Sequence, residues 1–146
     1  MKFWVGITDN RWYNYLALRS AAEVNFWQPS ARRPFTNLPE GTPFLFKLKA
    51  PYNHIAGGGF FTRFTTMPLA TAWNAFGTEN GAESLQAFGR LIETNATTPA
   101  GSNPEIGCSI LTNVFYLPRE RWINMSAVLP RTGIMQGKTF DTDVRE

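Results

Sequence analysis

Short stretches of alternating apolar and polar residues, each closed by a turn signal, make up most of this sequence. The stretch KFWVGIT places Phe3, Val5 and Ile7 on one face of a strand and Trp4 on the other. The stretch FLFKLK, residues 44–49, ends in a similar alternation of apolar residues with two lysines. Segments of this length and pattern predict short strands, which restricts the chain to a few sheet architectures.

Helical patterns interrupt the predicted strands at three places. The stretch DNRWYNYLALRS begins with a capping residue, Asp9 or Asn10, and continues with Trp12 and Leu16 at helical spacing. The stretch PLATAWNAFG predicts a short helix that ends at a glycine. A longer helix is predicted over NGAESLQAFGRLIETN, where Asn80 and Glu83 have the spacing of a cap and a third helical residue.

The predicted order is strand, helix, three strands, two helices, strand. It indicates an α+β fold: a small, partly open β-barrel of mixed or antiparallel strands, with helices packed outside it. Three consecutive glycines, residues 57–59, lie inside the fourth predicted strand. They allow either a bulge or the close approach of a nucleic-acid backbone, and the sequence favours a bulge.

The length of 146 residues predicts one domain, residues 1–146. The polar tail from about residue 136 shows no clear terminating element, and we expect a linker there that leads to a further domain. No apolar run is long enough to cross a membrane, and the first residues do not look like a signal peptide. We therefore expect a cytoplasmic protein without a membrane partner.

Several kinds of chemistry are excluded by residue counts and motifs. One cysteine and one histidine, Cys108 and His54, cannot form a disulfide framework or a zinc cluster, so no metal and no cofactor is expected. The phosphate-binding motif of P-loop enzymes, the dinucleotide-binding glycine motif and the zinc deaminase motif are all missing. A Cys–His catalytic pair is a minor alternative, because a cysteine in an apolar strand is usually inert.

Positive charge is concentrated in the first part of the chain. Residues 1–50 contain seven Lys and Arg residues against three acidic residues, a net charge of +4 (7 − 3). This excess indicates either a phosphate-contacting face or an ordinary solvated surface. The candidate phosphate contacts are Arg32 and Arg33 in a loop with prolines, and Lys47 and Lys49 on one strand face.

Several motifs, in this order, resemble the EVE domains of the PUA-like superfamily. They are KFWVGIT, VNFW, GTPFLFK and IAGGGFF. In the motif GTPFLFK, Thr42 stands where the family usually has an aspartate. The stretches NFWQPS, AWNAFG and QGKTFD extend the resemblance to the N-terminal region of bacterial proteins that carry an HNH nuclease domain.

The resemblance implies a pocket for a flipped base between the first strand, the following helix and the second strand. The residues at the matching positions are Thr8, Asp9, Asn10, Trp12, Asn25, Phe26, Trp27 and Gln28. Trp27 offers a ring on which a flipped base can stack, or else it belongs to the core. Asp9 either caps the helix or accepts a hydrogen bond from an exocyclic amine such as cytosine N4, and one residue can do both.

The resemblance therefore implies a reader of modified bases with no catalysis of its own. We expect it to bind 5-methyl- or 5-hydroxymethylcytosine in double-stranded DNA and to target an HNH nuclease on the same natural chain, as part of a bacterial modification-dependent restriction enzyme. An RNA-binding PUA-like module is one alternative. A small nucleoside hydrolase of the ASCH type is another, with Lys47, Asp9 and Thr8 in its pocket. A protein-interaction domain is the third.

Overall fold

The computed structural model describes residues 2–35, 37–124 and 138–141. The strands in this part of the chain are β1 (Lys2–Thr8), β2 (Val24–Gln28), β3 (Pro43–Leu48), β4 (His54–Pro68), β5 (Glu105–Tyr116), β6 (Ile123–Asn124) and β7 (Lys138–Asp141). The α-helices are α1 (Asn10–Arg19), α2 (Leu69–Phe76) and α3 (Leu85–Asn95), and short 3₁₀ turns span Gly77–Asn80 and Arg119–Arg121. The predicted α+β class and the predicted order up to β5 are confirmed.

All the described strands belong to one mixed sheet with the order β2-β5-β4-β3-β1-β7, and β6 pairs with the start of β4. β1 and β3 run parallel, and the other neighbours run antiparallel. The parallel pair matters for the site, because it brings the carboxyl ends of β1 and β3 to the same edge of the sheet. None of the described helices is long and apolar enough to span a membrane.

The glycine triplet lies where β4 pairs with two strands at once. Gly57 faces Phe46 of β3 and Tyr116 of β5, and the register with β5 shifts after Gly58. A Cβ atom on Gly57 would lie 2.4 Å from the backbone oxygen of Phe115. The predicted bulge is confirmed, and the close approach at Gly57 comes from a neighbouring strand of this chain.

The sheet curls so that its distant strands meet through side chains. Phe26 of β2 lies 4.7 Å, between ring centroids, from Phe44 of β3. A Cβ atom on Gly6 of β1 would lie 2.9 Å from the Phe26 ring and 2.8 Å from the Phe44 ring. β2 and β1 are far apart in the hydrogen-bonded order, so this contact across the interior defines a partly open barrel filled with phenylalanine rings.

α1 begins as the sequence predicts, whereas α3 begins later. Asp9 caps α1, and the buried face of this helix carries Trp12, Tyr13 and Leu16. The cap of α3 is Ser84, whose hydroxyl accepts a 3.1 Å hydrogen bond from the Ala87 N–H. The predicted cap at Asn80 is therefore wrong.

Asn80 has a different structural role, in the turn after α2. It is fully buried, and its side-chain amide donates to the carbonyl oxygens of Ala72 and Gly77 at 3.0 and 2.9 Å. These two bonds connect the Asn80 side chain to α2 and to the residue that follows it.

A strand that the sequence analysis did not predict lies in the polar tail. β7 pairs antiparallel with β1, from Lys2 opposite Asp141 to Val5 opposite Lys138. An edge strand is held mainly by backbone hydrogen bonds, so it needs no apolar pattern that a sequence reading would detect. The rest of the predicted linker, residues 136–137 and 142–146, lies outside the described residues.

Candidate functional site

A cavity of about 110 Å³ opens where β1 ends, α1 begins and β2 ends. Its lining consists of Ile7, Thr8, Asp9, Trp12, Phe26, Trp27, Gln28, Pro29, Lys49 and Asn95. The parallel pairing of β1 with β3 brings Lys49, just beyond β3, to the same edge as Asp9. Six of the eight residues predicted for a base pocket therefore line one cavity, together with one of the predicted phosphate contacts.

Asp9 forms part of the wall and also caps α1. Its Oδ1 accepts hydrogen bonds from the N–H groups of Arg11 and Trp12 at 2.8 and 3.1 Å. Its Oδ2 accepts from Asn95 Nδ2 at 3.1 Å and from Arg11 Nη2 at 3.3 Å. Partial burial opposes ionisation, but the bonds from Asn95, Trp12 and Arg11 outweigh it and hold the pKa of Asp9 below its ordinary value. The carboxylate is therefore charged at neutral pH.

Asn95, at the end of α3, links the two charged residues of the cavity. While its Nδ2 donates to Asp9, its Oδ1 accepts a 2.9 Å hydrogen bond from Lys49 Nζ. The result is a continuous polar chain from Lys49 through Asn95 to Asp9. Sequence reasoning missed Asn95, because nothing in the sequence indicates that the end of α3 returns to the end of β1.

Trp27 belongs to the core and also contributes to the cavity. Its side chain is buried, its Nε1–H donates to the Asn80 carbonyl oxygen at 2.8 Å, and its ring contacts Phe88 with a centroid distance of 5.8 Å. Because these contacts fix the indole, the cavity meets a rigid ring. Trp27 is therefore a core residue whose side chain also lines the cavity.

Trp12 is buried more deeply, with 2% of its surface exposed. Its ring makes edge-on contacts with Phe26 and Phe46, both at 5.2 Å between centroids. Together with Trp27 and Phe26 it forms the aromatic part of the cavity lining, and Asp9, Gln28, Lys49 and Asn95 belong to its polar part.

Thr8 and Gln28 line the cavity, but their donors are used within the chain. The Thr8 hydroxyl donates to the Gly6 carbonyl oxygen at 2.9 Å. Gln28 Nε2 donates to the carbonyl oxygens of Ser30 (3.0 Å) and Arg32, which folds the loop after β2 against the cavity mouth.

Five predicted residues do not line the cavity. Asn10 joins α1 to the segment after β3, because its side chain bonds the backbone N–H and carbonyl of Lys49 and the carbonyl of Ala50. Asn25 is fully buried, and its amide donates to Asn80 Oδ1 at 2.9 Å and to Cys108 Sγ at 3.3 Å.

The other three are candidate phosphate contacts. Arg32 and Arg33 are exposed in the loop after β2, and the Arg33 guanidinium lies over the Phe64 ring, 5.1 Å from its centroid. Lys47 belongs to β3 and faces Ile7 in the register with β1, but only Lys49 reaches the cavity.

Within the described ranges, no group of three or more His, Cys, Asp or Glu side chains has the arrangement of a metal site. Cys108 is fully buried in β5, and burial raises the pKa of its thiol despite the hydrogen bond from Asn25. A thiol in this position stays protonated and out of contact with solvent.

Comparison with solved structures identifies the fold. The structure is similar to crystal structures of the ASCH protein from Zymomonas mobilis and of two of its single-residue mutants. For one mutant the TM-score is 0.64 at 11% identity, covering 98% of this chain and 93% of the other. The other mutant gives 0.63 at 11% identity, with 96% and 89% covered, and the unmutated protein gives 0.63 at 10%, with 96% and 88% covered.

ASCH domains have the PUA-like fold, so this chain has the PUA-like fold, and the expected fold class is confirmed. At about a tenth of identical residues, the similarity concerns the fold alone. No protein-family model matches the chain, and a comparison with curated protein sequences gives no match either.

Proposed function

We propose that this PUA-like module binds nucleic acid and takes one unpaired base into the cavity between β1, α1 and β2. The observation that carries the proposal is the meeting of Thr8, Asp9, Trp12, Phe26, Trp27 and Gln28 around a single cavity. Its small volume suits one planar ring better than a drug-sized ligand. A flipped base loses both its stacking and its pairing partners, so it requires a pocket with aromatic rings and hydrogen-bonding groups, and this cavity has both in its lining.

The hydrogen bonds already present indicate which groups contact the base. Asp9 receives four donors, which fills the acceptor sites of a carboxylate. A base amine therefore reaches Asp9 only by displacing Asn95 or Arg11. Lys49 uses one donor on Asn95 and has two more N–H groups available for a base carbonyl. Lys49 and Asn95 are thus the lining residues that can exchange or add hydrogen bonds when a base enters the cavity.

The preferred target in this proposal is 5-methyl- or 5-hydroxymethylcytosine in double-stranded DNA. The charged Asp9 supports cytosine, because its carboxylate pairs with the N4 amine once that amine displaces Asn95 or Arg11. The proposal includes an HNH nuclease domain on the same natural chain, which would do the cutting. That part depends only on the motif resemblance.

The test measures binding of the chain to matched duplexes that carry cytosine, 5-methylcytosine, 5-hydroxymethylcytosine or N6-methyladenine at one position, and to RNA of the same sequence. The variant is Lys49→Gln, with Lys47→Gln as the matched control, because Lys47 lies in β3 only two residues before Lys49 and does not line the cavity. We expect one modified duplex to bind best and Lys49→Gln alone to remove that preference. Equal binding to all four duplexes, unchanged in both variants, would refute base reading, and preference for RNA would favour the RNA-binding alternative.

One observation favours a second candidate, hydrolysis of a modified nucleoside in the manner of ASCH enzymes. The sequence suggested Lys47 with Asp9 and Thr8, and the cavity contains Asp9 and Thr8 with Lys49 in its place. Incubation of the chain with modified nucleosides, followed by chromatography, tests this candidate. Turnover that is lost in Lys49→Gln and retained in Lys47→Gln would establish an enzyme, and no turnover would leave the binding function.

A further inference from the structure

A second pocket, of about 260 Å³, lies between α1 and α3 beside the base cavity. Its lining consists of Arg11, Tyr15, Gly81, Ala82, Glu83, Ala87, Arg90 and Leu91. We refer to it as the α1–α3 pocket. Arg11 connects the two, because it lines this pocket and its Nη2 donates at 3.3 Å to Asp9, which lines the base cavity.

Hydrogen-bond donors dominate the polar lining of the α1–α3 pocket. Arg11 and Arg90 carry guanidinium groups, which donate and do not accept. Tyr15 adds a hydroxyl group, and the Arg19 guanidinium lies 3.9 Å from the centroid of the Tyr15 ring. Arg11, Tyr15 and Arg19 are four residues apart in turn and share one face of α1. The acidic member of the lining is Glu83.

The Tyr15 hydroxyl is the most informative of these groups. Its oxygen is buried and has no hydrogen-bond partner in the described part of the chain. A buried hydroxyl without a partner destabilises the fold, so such groups are usually satisfied or reserved for a ligand. A ligand that accepts hydrogen bonds and carries negative charge would complete this donor set.

We infer that the α1–α3 pocket binds a backbone phosphate of the nucleic acid, next to the base held in the cavity. The inference rests on the proposed function and assigns the phosphate subsite of the same complex. A phosphate offers only acceptor oxygens, which match the guanidinium and hydroxyl donors. A base and its own phosphate are separated by one sugar, which agrees with two pockets that are linked by the Arg11–Asp9 contact. Phosphate contacts add affinity without sequence information, so selectivity stays with the cavity.

The first test compares two tyrosine variants. Tyr15→Phe removes a hydroxyl without a partner, so we expect unchanged or higher stability and weaker binding to every duplex, modified or not. Tyr13→Phe is the control, because the Tyr13 hydroxyl donates to the Ala56 carbonyl oxygen at 2.8 Å. It is expected to lose stability and retain duplex affinity while folded. Unchanged duplex affinity in Tyr15→Phe would overturn the inference.

The second test uses charge. Arg90→Gln is expected to reduce the slope of log affinity against log salt by about 0.9, the value for one phosphate contact on B-DNA. Glu83→Gln is expected to tighten binding, because it removes the acidic group from the pocket. An unchanged salt slope in Arg90→Gln overturns the phosphate site.

The two proposals fail in different ways. If Arg90→Gln lowers the slope while all four duplexes bind equally, the phosphate site stands and base reading fails. If Lys49→Gln removes a base preference while Arg90→Gln has no effect, base reading stands and the phosphate site fails. Inorganic phosphate is the probe for the other source of this ligand: if it binds through Arg90 without competing with duplex, the pocket serves free phosphate and the inference is overturned.

Discussion

Replacement of Trp27 by phenylalanine tests how firmly the cavity is built into the core. The indole Nε1–H donates to the Asn80 carbonyl oxygen at 2.8 Å, and the ring contacts Phe88. In Trp27→Phe the aromatic contact with Phe88 is largely retained, whereas the carbonyl oxygen is left buried without this donor. The change therefore separates the hydrogen bond from the burial of the ring.

The expected loss of stability has two parts. A buried polar group left without its partner costs about 1–3 kcal/mol, and the space left by the smaller ring costs about 1 kcal/mol. Together they predict a free energy of unfolding lower by about 2–4 kcal/mol, a large share of the ~5–15 kcal/mol of a typical domain. Trp27→Ala would cost more and threatens folding itself, so it is a poor variant for binding assays.

The matched control is Trp73→Phe. The Trp73 ring contacts the same Phe88 at 6.3 Å, and its indole makes no hydrogen bond within residues 2–35, 37–124 and 138–141. Urea unfolding followed by far-ultraviolet circular dichroism measures both variants. With a slope of about 2 kcal/mol per molar urea, we expect midpoint shifts of about 1–2 M for Trp27→Phe and about 0.5 M for Trp73→Phe. Equal shifts would refute the role assigned to the Asn80 hydrogen bond.

Two further predictions concern stability. Asp9→Asn retains a good cap for α1 but loses the negative charge. Because hydrogen bonds lower the pKa of Asp9 in the folded state, we expect the wild type to be more stable than this variant above the unfolded pKa of about 3.9, and this advantage to disappear as the pH falls through the lower folded pKa. Unfolding experiments across acid pH measure the difference, and a difference that does not vary with pH would contradict this. Gly57→Ala would bring a Cβ atom 2.4 Å from the Phe115 backbone oxygen and is expected to cost about 2 kcal/mol or more, whereas Gly89→Ala meets nothing within 4 Å in α3 and is expected to gain about 1 kcal/mol. Thermal unfolding of the two glycine variants checks this, and a stable Gly57→Ala would exclude the close strand approach.

Local patterns predicted most of the fold. Three features were read from residues close in sequence. The alternation in KFWVGIT forms β1, Asp9 caps α1, and the glycine triplet lies at a bulge of β4. The cap of α3 was misplaced because Asn80 and Ser84 are equally suitable residues locally. Asn80 is instead buried, and its side-chain oxygen accepts a hydrogen bond from Asn25 of β2, a long-range contact that a local sequence pattern does not contain.

The site was predictable only in part, for a related reason. Motif order identified the end of β1, which Asp9 follows directly, and the end of β2, which contains Trp27. The third wall comes from Asn95 at the end of α3, and its position depends on how that helix packs on the sheet. The sequence suggested Lys47 for the nucleoside hydrolase pocket, whereas Lys49 lines the cavity. The parallel register of β1 and β3 decides which of the two lysines lies at the sheet edge beside Asp9.

The pairing of β1 with β7 has a consequence for folding during synthesis. Lys2 lies opposite Asp141, so on this side β1 pairs with a segment that is synthesised more than a hundred residues later. Until then β1 is an unpaired edge beside β3, and closing the pair requires a loop of more than a hundred residues. Contacts this distant slow folding and prolong the exposure of strand edges. We therefore expect the parallel pair of β3 and β1 to form before β7 covers the outer side of β1.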